Sequence, residues 1–218
     1  MKIRSIEKLE EMIDKDFSWR KMELLQLKMA IEKNNATLSK KTLIRSGIAL
    51  LCAHWEGFIR SVANYYVVYV CNQKIKFKYL KENFVAFKLK KDVINLGSSQ
   101  KNTVHTKFIL RLESIKEEVF YIKYDDRPFN RIINTNSNLN FDLFDEIIKS
   151  IGLENIYETK KNYIDNEMLK YRHEIVHGEN YKDTEYNFYE VYNQVLFIME
   201  SFKSQVIEAA EIKGYLKL

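Results

Sequence analysis

Apolar side chains recur every third or fourth position through most of the chain and set out a series of helices. From about Ser5 to Lys33, Ile6, Leu9, Met12, Ile13, Leu24, Leu27 and Ile31 keep helical spacing while charged residues fill the remaining face, which predicts a long first helix. A break at Asn34-Asn35, with Thr37 and Ser39 as candidate caps, leads into a second helix running through Leu43, Leu50, Leu51, Trp55, Phe58, Ile59, Val62 and Tyr66 to about Cys71. So much of its circumference is apolar that it is predicted to be mostly buried. Helical spacing continues, now very basic, from Phe77 to Val93; after a polar gap at Gly97-Ser98-Ser99-Gln100 it resumes from about Thr106 to Val119. Residues 125–140 contain Pro128 and an Asn/Thr/Ser run from Asn134 to Asn140, whose side chains compete for backbone hydrogen bonds, and they form the clearest loop. Helices resume at Phe141–Ile151, at about Asn155–His177 with Gly178 as a stop, and at about Thr184–Lys213.

One proline and six glycines in 218 residues leave little of the turn chemistry that a fold of many short strands needs, so the chain reads as all-α, an antiparallel helical bundle. The length suits one domain over 1–218, with the shorter pieces at about 75–140 as an insertion. Lys and Arg total 35 against 30 Asp and Glu, a net +5 that permits a polyanionic partner without demanding one. Cys52 and Cys71 lie nineteen positions apart in one predicted helix, roughly 28 Å at 1.5 Å per residue, too far to pair. They read as core fillers. No cationic segment followed by an apolar run opens the chain, and the most apolar stretch, about Ile48 to Val70, is interrupted by His54, Glu56 and Arg60. A cytoplasmic protein with no membrane partner is expected.

The segment Tyr171-Arg172-His173-Glu174-Ile175-Val176-His177-Gly178-Glu179 concentrates an arginine, two histidines and two carboxylates near a helix end. One reading is His-Glu-x-x-His, in which His173 and His177 hold zinc and Glu174 activates a water. That reading needs a third ligand, and although Glu190 and Glu200 lie downstream, no motif singles out either. The other reading is Arg-x-x-x-x-His, with Arg172 and His177 as the working groups and no metal. A bland alternative makes His177 a helix-end residue favoured by the macrodipole and Arg172 a surface partner of Glu174 or Glu167.

The arginine–histidine spacing resembles the signature of the HEPN superfamily, and the resemblance extends over most of the chain. It rests on the two long N-terminal helices, the core segment from Ile48 to Phe58, the Ser137-Asn138-Leu139-Asn140-Phe141 lead into a short helix, and Arg172 to His177 followed by Gly178-Glu179. The chain looks most like stand-alone HEPN nucleases of bacterial defence and toxin–antitoxin settings. The likeness implies a HEPN-like bundle, a homodimer with a composite active site, RNA as substrate, and an antitoxin or other regulatory protein as a possible partner. His173 stands where an Asn or Asp is commoner.

The chemistry suits these residue types without a cofactor. Cleaving RNA through its own 2′-hydroxyl requires deprotonating that hydroxyl, stabilising charge on the phosphorane and protonating the departing 5′-oxygen. An imidazole exchanges protons near neutrality, and a guanidinium binds phosphate in bidentate fashion. Arg172 and His177 are therefore the candidate catalytic residues, with His173, Glu174, Glu56, Arg60 and His54 as candidate supporting groups. On an ideal helix the pair lies roughly 140° apart, so the helix must end or tilt there, as Gly178 allows. Lys170, together with Lys76, Lys78 and Lys81 of the basic aromatic stretch, are the candidate RNA contacts.

Overall fold

The computed structural model describes residues 2–123, 132–135, 138–179 and 185–217, without the side chains of residues 185 and 186. The expected loop around Pro128, Ser137 of the lead into the short helix, and Thr184 at the expected start of the last helix lie outside the described residues.

The fold is all-α. Helix α1 (Ile6–Lys33) starts at Ser5, whose side chain accepts a hydrogen bond from the Lys8 amide, and α2 (Thr37–Asn72) follows after a short break. These two pack with α8 (Glu185–Glu211). The seams are filled as the spacing predicts: Phe17 of α1 meets Phe58 of α2 with ring centroids 5.5 Å apart, and Lys203 of α8 pairs with Asp14 of α1. Gly47 marks a close approach of the three helices, for a methyl group there would lie 2.7 Å from the Phe188 ring of α8 and 3.2 Å from Leu27 of α1. Cys52 and Cys71 are both free and buried. Among the described residues no helix is long and apolar enough to cross a membrane.

The basic segment departs from the expected helix. Helix α3 begins only at Glu82 and runs to Gly97, while residues 75–81 are extended apart from a single 3-10 turn at Phe77–Tyr79. The Phe77 amide donates to Glu118 and the Phe120 amide to Ile75, and on the other side Lys81 donates to Tyr215 and Lys217 to Tyr79. The order Lys74-Ile75-Lys76-Phe77-Lys78 alternates polar and apolar residues with period two, which suits an extended segment with one face inward. Phe77 fills that inward position, edge-on to Phe120, which also meets Phe84 of α3. Burying an aromatic ring stabilises by about 1.5–3 kcal/mol, enough to override helical propensity over a few residues. Residues 116–120 are used in this pairing, so α4 lies earlier than expected, at Asn102–Ile115.

Helix α5 (Phe141–Ser150) is capped by Asn140, whose side-chain oxygen accepts from the Leu143 amide. Its Phe144 sits among Trp55, Tyr157 and Phe202 at centroid distances of 4.7, 5.0 and 5.8 Å. The single helix expected over 155–177 is a composite rod: a 3-10 turn at Glu158–Lys160, α6 (Lys161–Tyr163), a π-helical segment at Ile164–Met168, and α7 (Leu169–Val176). Ile164 and Met168 of the π segment are fully buried, and the Cys52 thiol of α2 reaches the Met168 carbonyl at 3.9 Å.

Because Phe188 is locked among core side chains, Gly47→Ala forces helices apart. The substitution is expected to destabilise the protein by about 1–3 kcal/mol, read as a lowered midpoint in thermal or denaturant unfolding; an unchanged midpoint would show that this seam gives way freely.

Candidate active site

Helix α7 ends in a defined geometry. His177 is the C-cap, Gly178 adopts φ 75°, its amide donates to the Ile175 carbonyl, and the Glu179 amide donates to the Glu174 carbonyl. These two bonds close a Schellman motif, whose left-handed residue glycine adopts at least strain. The motif turns the chain at the position where the sequence requires the helix to end. Arg172 and His177, although well separated around an ideal helix, both line one cleft of about 580 Å³ together with His173, Lys170, Asn138, Asn140, Asp165, Leu169 and Val176. The two imidazoles are neighbours, with centroids 4.2 Å apart and planes inclined at 51°.

Arg172 is half-buried and donates from Nη1 to the Asn138 side-chain oxygen at 3.1 Å. Beneath it lies Cys52, whose thiol is pushed up to about 12 by burial, with the Arg172 charge opposing the shift and the Glu56 charge adding to it. The thiol therefore remains protonated and inert. Asp165, on the π segment, accepts from the Phe141 amide at 2.8 Å and ties the rod to the start of α5.

Helix α2 supports the cleft from behind. Glu56 accepts a 2.6 Å bond from the Thr135 hydroxyl, and Arg60 donates to the same hydroxyl at 3.2 Å while lying 3.5 Å from Glu56. Asn64 accepts from the Ile132 and Ile133 amides, and the Trp55 indole donates to the Leu139 carbonyl. Glu56 and Arg60 thus reach the segment that carries Asn138, while Glu174 is half-buried, one of its oxygens having no partner among the described residues.

A model of the RiboL-PSP-HEPN family matches residues 15–208. The chain belongs to this family. Comparison with curated proteins and with solved structures gave no match. A HEPN domain points to a nuclease or an RNA-binding module.

Other candidate residues of the HEPN chain lie elsewhere. His54 sits on the face of α2 turned to α1, buried against Arg20. Since a guanidinium only donates, the Nδ1 atom 3.3 Å from Arg20 must accept, and the ring proton resides on Nε2, 2.8 Å from a Glu23 oxygen but off the axis of a hydrogen bond. Lys76 and Lys78 both bind Glu117 at 2.9 Å and hold its carboxyl down to about 2, whereas Lys81 donates to the Gly152 carbonyl. Of the four candidate RNA-contact lysines only Lys170 lines the cleft. For the zinc reading, no group of three or more His, Cys, Asp or Glu among the described residues is arranged to hold a metal ion. Of the two downstream carboxylates named as a third ligand, Glu200 lines a separate groove with Glu154 and Phe197. Sequence reasoning did not single out Thr135, Asn64 or Asp165. Asn138 and Asn140 entered only within the resemblance, although two asparagines just before an apolar run signal a helix cap.

Burial and, next, the Arg20 charge lower the His54 pKa below its ordinary value. The unfolded chain therefore binds this proton more readily than the folded one, and stability is complete above about pH 6.5 and falls as pH drops below it. The melting temperature is expected to decline from about pH 7 to about pH 5.5, and His54→Gln should flatten that slope. An equal slope in both proteins would place the cause elsewhere.

Proposed function

We propose that this HEPN chain is a metal-independent endoribonuclease that cleaves RNA by attack of its 2′-hydroxyl, working as a single-domain protein in a homodimer with a composite active site. The observation that supports this reading is the convergence of Arg172, His173 and His177 on one open cleft. An imidazole takes the 2′-hydroxyl proton; the 2′-oxygen bonds to phosphorus; the bond to the 5′-oxygen breaks, and that oxygen is protonated as it leaves. The products are a 2′,3′-cyclic phosphate and a 5′-hydroxyl, with no net proton change. Arg172 binds the non-bridging oxygens and stabilises the charge that grows on the phosphorane. Lys170, on the same helix, draws in the neighbouring phosphate. The likeness to nucleases of bacterial defence and toxin–antitoxin settings makes such a role, in the cytoplasm and under a regulatory partner, the biological context we favour.

Purified protein incubated with single-stranded RNA in EDTA is expected to release fragments ending in cyclic phosphate. Arg172→Ala and His177→Ala should each lower the rate by roughly 10²–10⁴-fold with little change in melting temperature, since both groups border an open cleft. Cleavage restored only by added zinc would replace this mechanism with a metal-dependent one, and tight binding of RNA that stays intact would leave a binding module.

A further inference from the structure

We infer that Asn138 is a positioning residue for Arg172, and that α2 sets its position through the segment that carries it; this rests on the nuclease reading of the cleft. The side chain of Asn138 is exposed, yet its backbone is fixed from three directions. Upstream, Asn64 of α2 accepts from the amides of Ile132 and Ile133 at 3.0 and 3.1 Å and donates to the Ile133 carbonyl at 3.1 Å, which pins two consecutive residues. Next, Thr135, with no exposed surface, places its hydroxyl between Glu56 and Arg60, and its carbonyl accepts from the Asn138 amide at 3.0 Å. Downstream, the Leu139 carbonyl takes the Trp55 indole, and Asn140 is committed to capping α5. Asn138, its amide bonded to the anchored Thr135, meets Arg172 at 3.1 Å.

The partner's chemistry carries the argument further. A carboxylate at this place would hold the guanidinium more strongly but would also offset the charge that a phosphate must meet. The carboxamide oxygen orients the guanidinium without neutralising it. Holding the arginine in advance of substrate removes an ordering step from the reaction, and misplacement of a charged group by even 1 Å lowers rates by about 10²-fold.

The test compares wild type with Asn138→Ala, Asn138→Asp and Thr135→Val, using RNA cleavage kinetics and ¹⁵N relaxation of the Arg172 Nε–H group. Asn138→Ala should lower kcat by roughly 10- to 100-fold with KM changed less than about threefold, leave the melting temperature in place, and mobilise Arg172. Asn138→Asp should keep Arg172 ordered but not restore kcat, and Thr135→Val should shift both readouts in the direction of the alanine variant by a smaller factor. Unchanged Arg172 relaxation in Asn138→Ala would overturn the inference, as would full kcat in that variant or in Asn138→Asp. If the wild-type protein does not cut RNA, the nuclease reading fails by itself, while the relaxation measurement still decides whether Asn138 holds the arginine.

Discussion

A polar group carried on a buried helix must be given a partner, because leaving one unsatisfied away from water costs about 1–3 kcal/mol. Helix α2 is covered by α1, α8, α7 and α5, and its 36 residues include His54, Glu56, Arg60 and Asn64 among apolar neighbours. Each of these meets a partner outside the helix. On the face turned to α1, His54 meets Arg20, itself paired with Asp16 and lying 4.5 Å over the Trp19 ring. On the opposite side, Glu56, Arg60 and Asn64 grip residues 132–135, and these lead to Asn138 and the cleft. The polar residues that interrupt α2 thus fix the one irregular segment on which the candidate site depends.

The second element of the site is the end of α7. Residues 172–177 themselves keep helical geometry, the His177 amide donating to the His173 carbonyl, and the cleft is wide enough to reach both Arg172 and His177; two local departures flank them. The π segment, a device that recurs at functional sites, buries Ile164 and Met168 while Asp165 secures Phe141. The Schellman turn at Gly178 then ends the helix immediately after His177. Arg172 and His173 thus stand on regular helix and His177 at its cap, a backbone from which positioned electrostatics can act.

The long amphipathic helices were legible in the sequence because their spacing reports burial directly: α1, α2, α5 and α8 fall within a few residues of where the pattern puts them. Residues 77–81 do not join the helix that the spacing predicts over Phe77 to Val93, because their partners at residues 116–120 and 215–217 are remote in sequence and a window of a dozen residues does not contain them. For the same reason, no local pattern announces that Lys76 and Lys78 pair with Glu117 or that Lys81 donates to the Gly152 carbonyl. In the site, Arg172, His177 and the role of Gly178 as a helix stop could be read from spacing and turn chemistry. The links from Glu56 and Arg60 to Thr135, and from Asn138 to Arg172, join residues 34 to 79 positions apart, and no local pattern announces them.

The distribution of proton-exchanging groups bears on the proposed dimer. In displacement at phosphorus the attacking and departing oxygens stand on opposite sides, roughly in line, so the base and the acid must approach from opposite directions. Within one chain, His173 and His177 come from the same rod with their rings only 4.2 Å apart, side by side on one wall. The segment that borders the cleft from the α2 side contributes Asn138 and Asn140, whose amides exchange no proton at neutral pH. A single cleft therefore presents its two imidazoles from one wall. In the proposed homodimer a second copy facing the first across a two-fold axis would bring its own imidazole toward the leaving oxygen. On this argument the proposed dimer would supply from across the cleft the proton-exchanging group that one wall does not provide.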